Sequence, residues 1–121
     1  MKHMTKKSEV GKQGEDTACD YLEKAQYLII ERNFTCRLGE VDIIARKNEY
    51  LVFCEVKSRQ ANAGIHPSLS VTRAKAAKLR KLGLLYIDSH KYYSLQPRFD
   101  VISVLWREGD QAEIEHFENA F

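Results

Sequence analysis

The chain has 121 residues, 44% hydrophobic and 30% charged, with a formal net charge of +2. That length suits a single domain with its own core, and the composition is that of an ordinary soluble globular protein. No apolar run approaches the length of a membrane span, and a charge of +2 does not by itself indicate a nucleic-acid partner.

Residues 1–8 are mostly polar and basic, without the apolar stretch of a signal peptide, and read as a disordered start. Residues 9–121 read as one domain. Residues 8–25 predict a helix, with Val10, Ala18, Tyr21, Leu22 and Ala25 on one face at ~100° per residue. Residues 27–34, 40–46 and 50–57 predict three strands. Lys47-Asn48-Glu49 joins the last two as a hairpin, with Asn48 suited to a left-handed position. Residues 58–70 read as a polar loop of functional length, carrying Gly64 and Pro67. A second helix is predicted over residues 71–88, with Ser70 as its N-cap. Strands follow at 99–106 and, short and at an edge, at 112–117. The order α-β-β-β-α-β-β predicts an α/β fold, a central β-sheet flanked by helices.

The charge is unevenly spread. From Arg73 to Lys91 inclusive there are six Lys or Arg residues and one acid, Asp88, whereas after Arg107 there are five acids and no Lys or Arg. A basic stretch of this kind attracts phosphate even in a nearly neutral chain. Cys19, Cys36 and Cys54 are odd in number and lack zinc-ligand spacing. They read as small buried or half-buried residues of a reduced, cytoplasmic protein.

The most telling residues are charges set inside apolar strands, in Gly39-Glu40-Val41-Asp42-Ile43-Ile44 and Phe53-Cys54-Glu55-Val56-Lys57. Residues i and i+2 of a strand share a face, ~7 Å apart. Glu40 and Asp42 are therefore expected on one face, and Glu55 and Lys57 on one face. If those faces coincide, Asp42 and Glu55 can ligate Mg²⁺ or Mn²⁺, with the Val56 carbonyl as a further ligand. Lys57 would then orient water or stabilise charge on a phosphate. The other reading of the same spacing is a cross-strand salt bridge at a solvated sheet edge. Glu15 follows Gly11 and Gly14 in a helix, where glycine costs ~1 kcal/mol unless something must come close. It reads either as an assistant at the metal or as an acid meeting the helix dipole.

On the second helix Lys75 and Lys78 fall near the direction of Val71 and Leu82, with Arg73 and Arg80 opposite. They either snorkel or reach a phosphate. Arg59, Gln60 and His66 follow the Glu-Val-Lys strand and could touch a nucleic-acid backbone. Asp100, in Arg98-Phe99-Asp100, is expected in a structural ion pair.

Gly-x-x-Gly-Glu at 11–15, Gly-Glu-Val-Asp at 39–42, Phe-Cys-Glu-Val-Lys-Ser-Arg at 53–59, Arg-Phe-Asp at 98–100 and Asn-Ala-Phe at 119–121 together resemble the YraN-like family of uncharacterised bacterial proteins. That family is similar to the PD-(D/E)XK nucleases, and among them to archaeal Holliday junction resolvases. The resemblance implies a restriction-endonuclease-like core with a mixed sheet. It maps the metal-binding Asp onto Asp42, the second acid onto Glu55, the lysine onto Lys57 and the helix acid onto Glu15. The proline of the superfamily name is absent, since Val41 precedes Asp42. The function these readings imply is a metal-dependent endonuclease hydrolysing phosphodiester bonds of DNA, branched or damaged DNA included. Lys75, Lys78, Arg59 and Gln60 would bind the nucleic acid, and a homodimer would present two sites to a junction. The alternative is a nucleic-acid- or partner-binding module that keeps the fold without turnover.

Overall fold

Most of the fully buried side chains lie in residues 41–45, 51–54 and 99–104, the three apolar runs that become the middle of one sheet. The computed structural model describes residues 9–61 and 71–121. The expected disorder of residues 1–8 and the readings of His66 and Ser70 lie outside the described residues. The elements are α1 (Glu9–Lys24), β1 (Leu28–Cys36), β2 (Gly39–Lys47), β3 (Tyr50–Gln60), α2 (Arg73–His90), β4 (Gln96–Arg107) and β5 (Gln111–Phe117). The strands lie in sequence order. Only the β3–β4 pair is parallel, joined by the crossover through α2; the other three pairs are antiparallel. This is the expected mixed α/β fold.

The sheet is covered on both faces. Ala18, Cys19 and Leu22 of α1 pack on Ile43, Ala45, Val52, Cys54, Ile102 and Val104. Leu79, Leu82 and Tyr86 of α2 pack on Val41, Ile44, Leu51, Phe53 and Phe99 from the other side. Burial on both sides explains why β2, β3 and β4 read as almost unbroken apolar runs. The expected Asn48 turn is present, with φ 54°. All three cysteines are free; Cys19 and Cys54 are buried as expected, but Cys36, the last residue of the outer strand β1, is exposed rather than buried or half-buried, because neither core reaches it.

Three further expectations need correction. β3 continues to Gln60, so Arg59 and Gln60 are strand residues rather than loop residues. They keep to the strand because β4 runs beside them, pairing Arg59 with Leu105 and Gln60 with Trp106. α2 starts at Arg73, because the Thr72 side chain accepts the Lys75 amide at 3.1 Å and caps the helix. Its buried face is Ala76, Leu79, Leu82, Gly83, Tyr86 and Ile87. Lys78 is therefore an exposed residue rather than one on the apolar side. Both helices close with a left-handed residue that is not glycine. Gln26 (φ 70°) and Lys91 (φ 59°) occupy that position. The amides of Tyr27 and Tyr92 return to the carbonyls of Leu22 and Ile87, the pattern that satisfies orphan carbonyls at a helix end.

Asp100 is fully buried. As expected it forms a structural ion pair: Arg98 Nε and Nη2 donate to its two oxygens at 3.1 and 2.8 Å. The Asn119 amide donates to it at 2.9 Å, and His116 Nε2 lies 2.7 Å away. Burial pushes this carboxyl up, and the bonds from His116, Arg98 and Asn119 outweigh it, holding it below the ordinary carboxylate range. A carboxylate with a depressed folded pKa stabilises the fold above its unfolded pKa, about 3.9, and that contribution is lost as pH falls through the folded value. Asp100→Asn leaves the largely buried Arg98 only the exposed Glu118 as an acidic partner among the described residues and should cost about 3 kcal/mol at pH 7. Thermal unfolding from pH 2 to 7 should also show a flatter acid limb in the variant than in wild type.

α1 meets β3 through Gly14. A Cβ at Gly14 would lie 2.4 Å from Ser58 Oγ and 2.5 Å from Ser58 Cβ. Trp106 Nε1 donates to the same Oγ at 3.0 Å, which restricts its retreat. Gly14→Ala should therefore destabilise by about 1–3 kcal/mol through overpacking, despite alanine's better helix propensity. Chemical denaturation of Gly14→Ala alone and combined with Ser58→Gly checks this, since the second change should restore most of the loss.

Candidate active site

The site begins where two strands part. The β2–β3 ladder ends at the Ile43–Cys54 pair, while β3 stays paired with β4 through Gln60. Beyond Cys54 the Val56 amide has no strand partner on the β2 side. It donates instead to Asp42 Oδ2 at 2.8 Å. Asp42 is turned inward by a break in the strand period. Ile43 belongs to the core under α1 and Val41 to the core under α2, although residues two apart should share a face. On β1 the residue between the Arg32–Ile43 and Phe34–Val41 pairs is Asn33, at φ 54°. That left-handed residue lets both strands change face together at Asp42.

Glu55 and Lys57 share a face, as the spacing requires, and Glu55 Oε1 lies 3.3 Å from Lys57 Nζ. Lys75 of α2 donates to the same oxygen. The other oxygen, Oε2, is buried and has no hydrogen-bond partner among the described residues. Glu55 also lines a small pocket with Glu40, Val41, Phe53, Leu79 and Phe99. Beside it, burial and the charge of Asp100 push the Cys54 thiol well up, so it stays protonated and is no nucleophile.

The structure thus brings Glu55, Lys57 and Lys75 together and sets Asp42 on the adjoining residue, Val56. Glu15 enters from the α1 side, almost fully buried, with Arg32 Nη2 at 3.7 Å from its Oε1. Arg32 also bonds Asp16 at 2.7 Å. Of the other expected nucleic-acid residues, Lys78 and Gln60 are exposed and Arg59 is half-buried, its Nε without a partner among the described residues. Sequence reasoning missed Arg32 and Thr72. The available signal for Arg32 was the polar Glu31-Arg32-Asn33 set in an otherwise apolar strand.

A hard cation such as Mg²⁺ or Mn²⁺ takes few protein carboxylates and keeps several waters. Asp42 and the unpartnered oxygen of Glu55 offer oxygens of the kind such an ion prefers. Among the described residues no three Asp, Glu, His or Cys side chains converge to hold a metal.

Two substitutions at Asp42 separate structure from charge. Asp42→Asn keeps an oxygen for the Val56 amide, whereas Asp42→Ala leaves that amide without its acceptor. Alanine should destabilise more than asparagine, by about 1–2 kcal/mol, in urea denaturation at pH 7.

The chain is similar to a UPF0102 protein of Trichlorobacter lovleyi, 45% identical over 113 residues, covering 93% of this chain and 89% of that protein. It is 44% identical to a UPF0102 protein of Geobacter sulfurreducens over 112 residues, 93% and 88% of the two chains. A UPF0102 protein of Syntrophus aciditrophicus is 42% identical over 121 residues, 98% and 95% of the two. Residues 14–104, which run from within α1 through the splayed strands and α2 to most of β4, match the model of the uncharacterised protein family UPF0102, and the chain belongs to that family.

Proposed function

We propose that the protein is a metal-dependent DNA endonuclease that hydrolyses phosphodiester bonds, with branched or damaged DNA as its substrate class. The observation that carries this reading is Glu55, gripped through one oxygen by Lys57 and Lys75 while the other faces no partner among the described residues, one residue from the Asp42–Val56 contact. Buried carboxylate oxygens are normally satisfied, and an unsatisfied one beside lysines is better explained by a ligand than by stability.

Asp42 and Glu55 would hold Mg²⁺ or Mn²⁺, with the Val56 carbonyl as a further oxygen. A bound cation of this kind supplies charge against a phosphoryl oxygen and a water of lowered pKa. Lys57, fixed on the strand beside Glu55, orients that water or offsets the charge that develops on the phosphate. Glu15 assists from the α1 side, and Arg32 keeps its buried charge compensated. Lys75, Lys78, Arg59 and Gln60 provide the docking surface for the backbone. A symmetric dimer would set two such sites against the two strands that junction cutting requires. A DNA substrate and three free cysteines go together with a cytoplasmic location. Among the described residues no helix is long and apolar enough to cross a membrane.

One observation favours a second reading, a non-catalytic nucleic-acid-binding module: Glu55 already carries two ammonium partners, as a structural ion pair would. Incubation of the protein with linear, flap and four-way DNA in Mg²⁺ or Mn²⁺ decides between them. The expected result is cleavage by wild type, reduced about 100-fold or more in Asp42→Asn, with DNA binding retained in the variant. Binding without cleavage of any substrate would leave the binding module as the better account. Absence of both would remove DNA from consideration.

A further inference from the structure

Glu55 carries one negative charge, and two ammonium groups converge on one of its oxygens. The two lysines are not equivalent. Lys57 sits two residues along the same strand, its side chain 27% exposed, and follows Glu55 wherever the strand goes. Lys75 reaches across from the first turn of α2, and its side chain is 45% exposed. A divalent cation placed against Glu55 would meet both positive charges, and like charges at such distances repel strongly where solvent is partly excluded. The group able to leave is the exposed one on the long flexible stem, Lys75. Once released, its ammonium lies at the mouth of the same site, on the helix richest in basic residues.

We propose that Lys75 is a placeholder for the cation. It holds Glu55 when no metal is bound and passes to the DNA backbone when one is. This rests on the metal-dependent reading above and goes beyond it, because it couples two binding events. Cation binding frees a phosphate-binding lysine, so the cation raises DNA affinity. By linkage, DNA raises cation affinity by the same factor.

The coupling predicts effects of opposite sign from one substitution, which general damage to the fold does not produce. Lys75→Met keeps the stem and removes the charge. Mn²⁺ binding to the full chain, followed by titration calorimetry, should tighten about 5- to 10-fold in Lys75→Met, within the usual range of such couplings. Lys81→Met, an equal loss of charge at an exposed position of the same helix, should leave Mn²⁺ affinity unchanged. Fluorescence anisotropy with a labelled duplex, in EDTA and in Ca²⁺, should show DNA binding strengthened by the cation in wild type. In Lys75→Met binding should be weaker and indifferent to the cation. Equal Mn²⁺ affinity in wild type and Lys75→Met, with binding still lost in Asp42→Asn, would overturn the placeholder while leaving the metal site standing. Equal tightening by Lys81→Met would reduce the effect to net charge and overturn it too. No Mn²⁺ binding by any of these proteins would overturn both the placeholder and the metal-dependent reading.

Discussion

The amide of Val56 is the point on which the site turns. In an uninterrupted sheet it would donate to a carbonyl of β2. Here the stretch of β2 before Ile43 has left the β3 ladder, and a carboxylate oxygen of Asp42 takes the place of that carbonyl. A buried amide without an acceptor costs about as much as a lost hydrogen bond, so the splay and the inward turn of Asp42 depend on each other. The opening between the strands is what exposes one edge of β3 at Glu55, while β4 keeps the other edge in register to Gln60. α1 then closes against the far end of β3, where Gly14 brings its backbone onto Ser58 and seats Glu15 in the interior.

Two acids on neighbouring strands show how differently a sheet can treat a buried charge. Asp100, level with Cys54, meets Arg98, His116 and the Asn119 amide, and both of its oxygens are used. Its charge binds the ends of β4 and β5 to the segment that follows. Glu55, one residue on and facing α2, has its cations crowded onto a single oxygen. Both acids have cationic partners, yet the hydrogen-bonding capacity is filled only at the first. The difference separates an acid that holds the fold together from one with capacity left for a ligand.

Much of this was legible because it depends on local period. The order of elements along the chain, the Asn48 hairpin, the shared face of Glu55 and Lys57 and the Arg98–Asp100 pair all follow from residues close in sequence. The parts that were not legible depend on distant ones. Ser58-Arg59-Gln60 looks like loop until β4 supplies a partner. The buried face of α2 is set by what it meets on Phe53 and Phe99, and counting from Val71 rotated it onto Lys78. The helix ends at Gln26 and Lys91 lack the glycine or asparagine that usually marks them. The inward turn of Asp42 depends on Asn33 of another strand, and the burial of Glu15 on Arg32 of that same strand. Neither relation leaves a mark in the spacing around the acids themselves.

Among the described residues β1 and β5 are the outer strands of the sheet, and neither is a flat template for another chain. On the β1 side the register shifts between Ile29 and Glu31, and Asn33 adds a left-handed kink. The β5 side presents Glu113 and Glu115, exposed and of one sign. Bulges and edge charges are the devices by which β-proteins discourage strand addition and aggregation. A second copy adding its strand to either edge would have to flatten the β1 kink or bring a backbone up against the β5 acids.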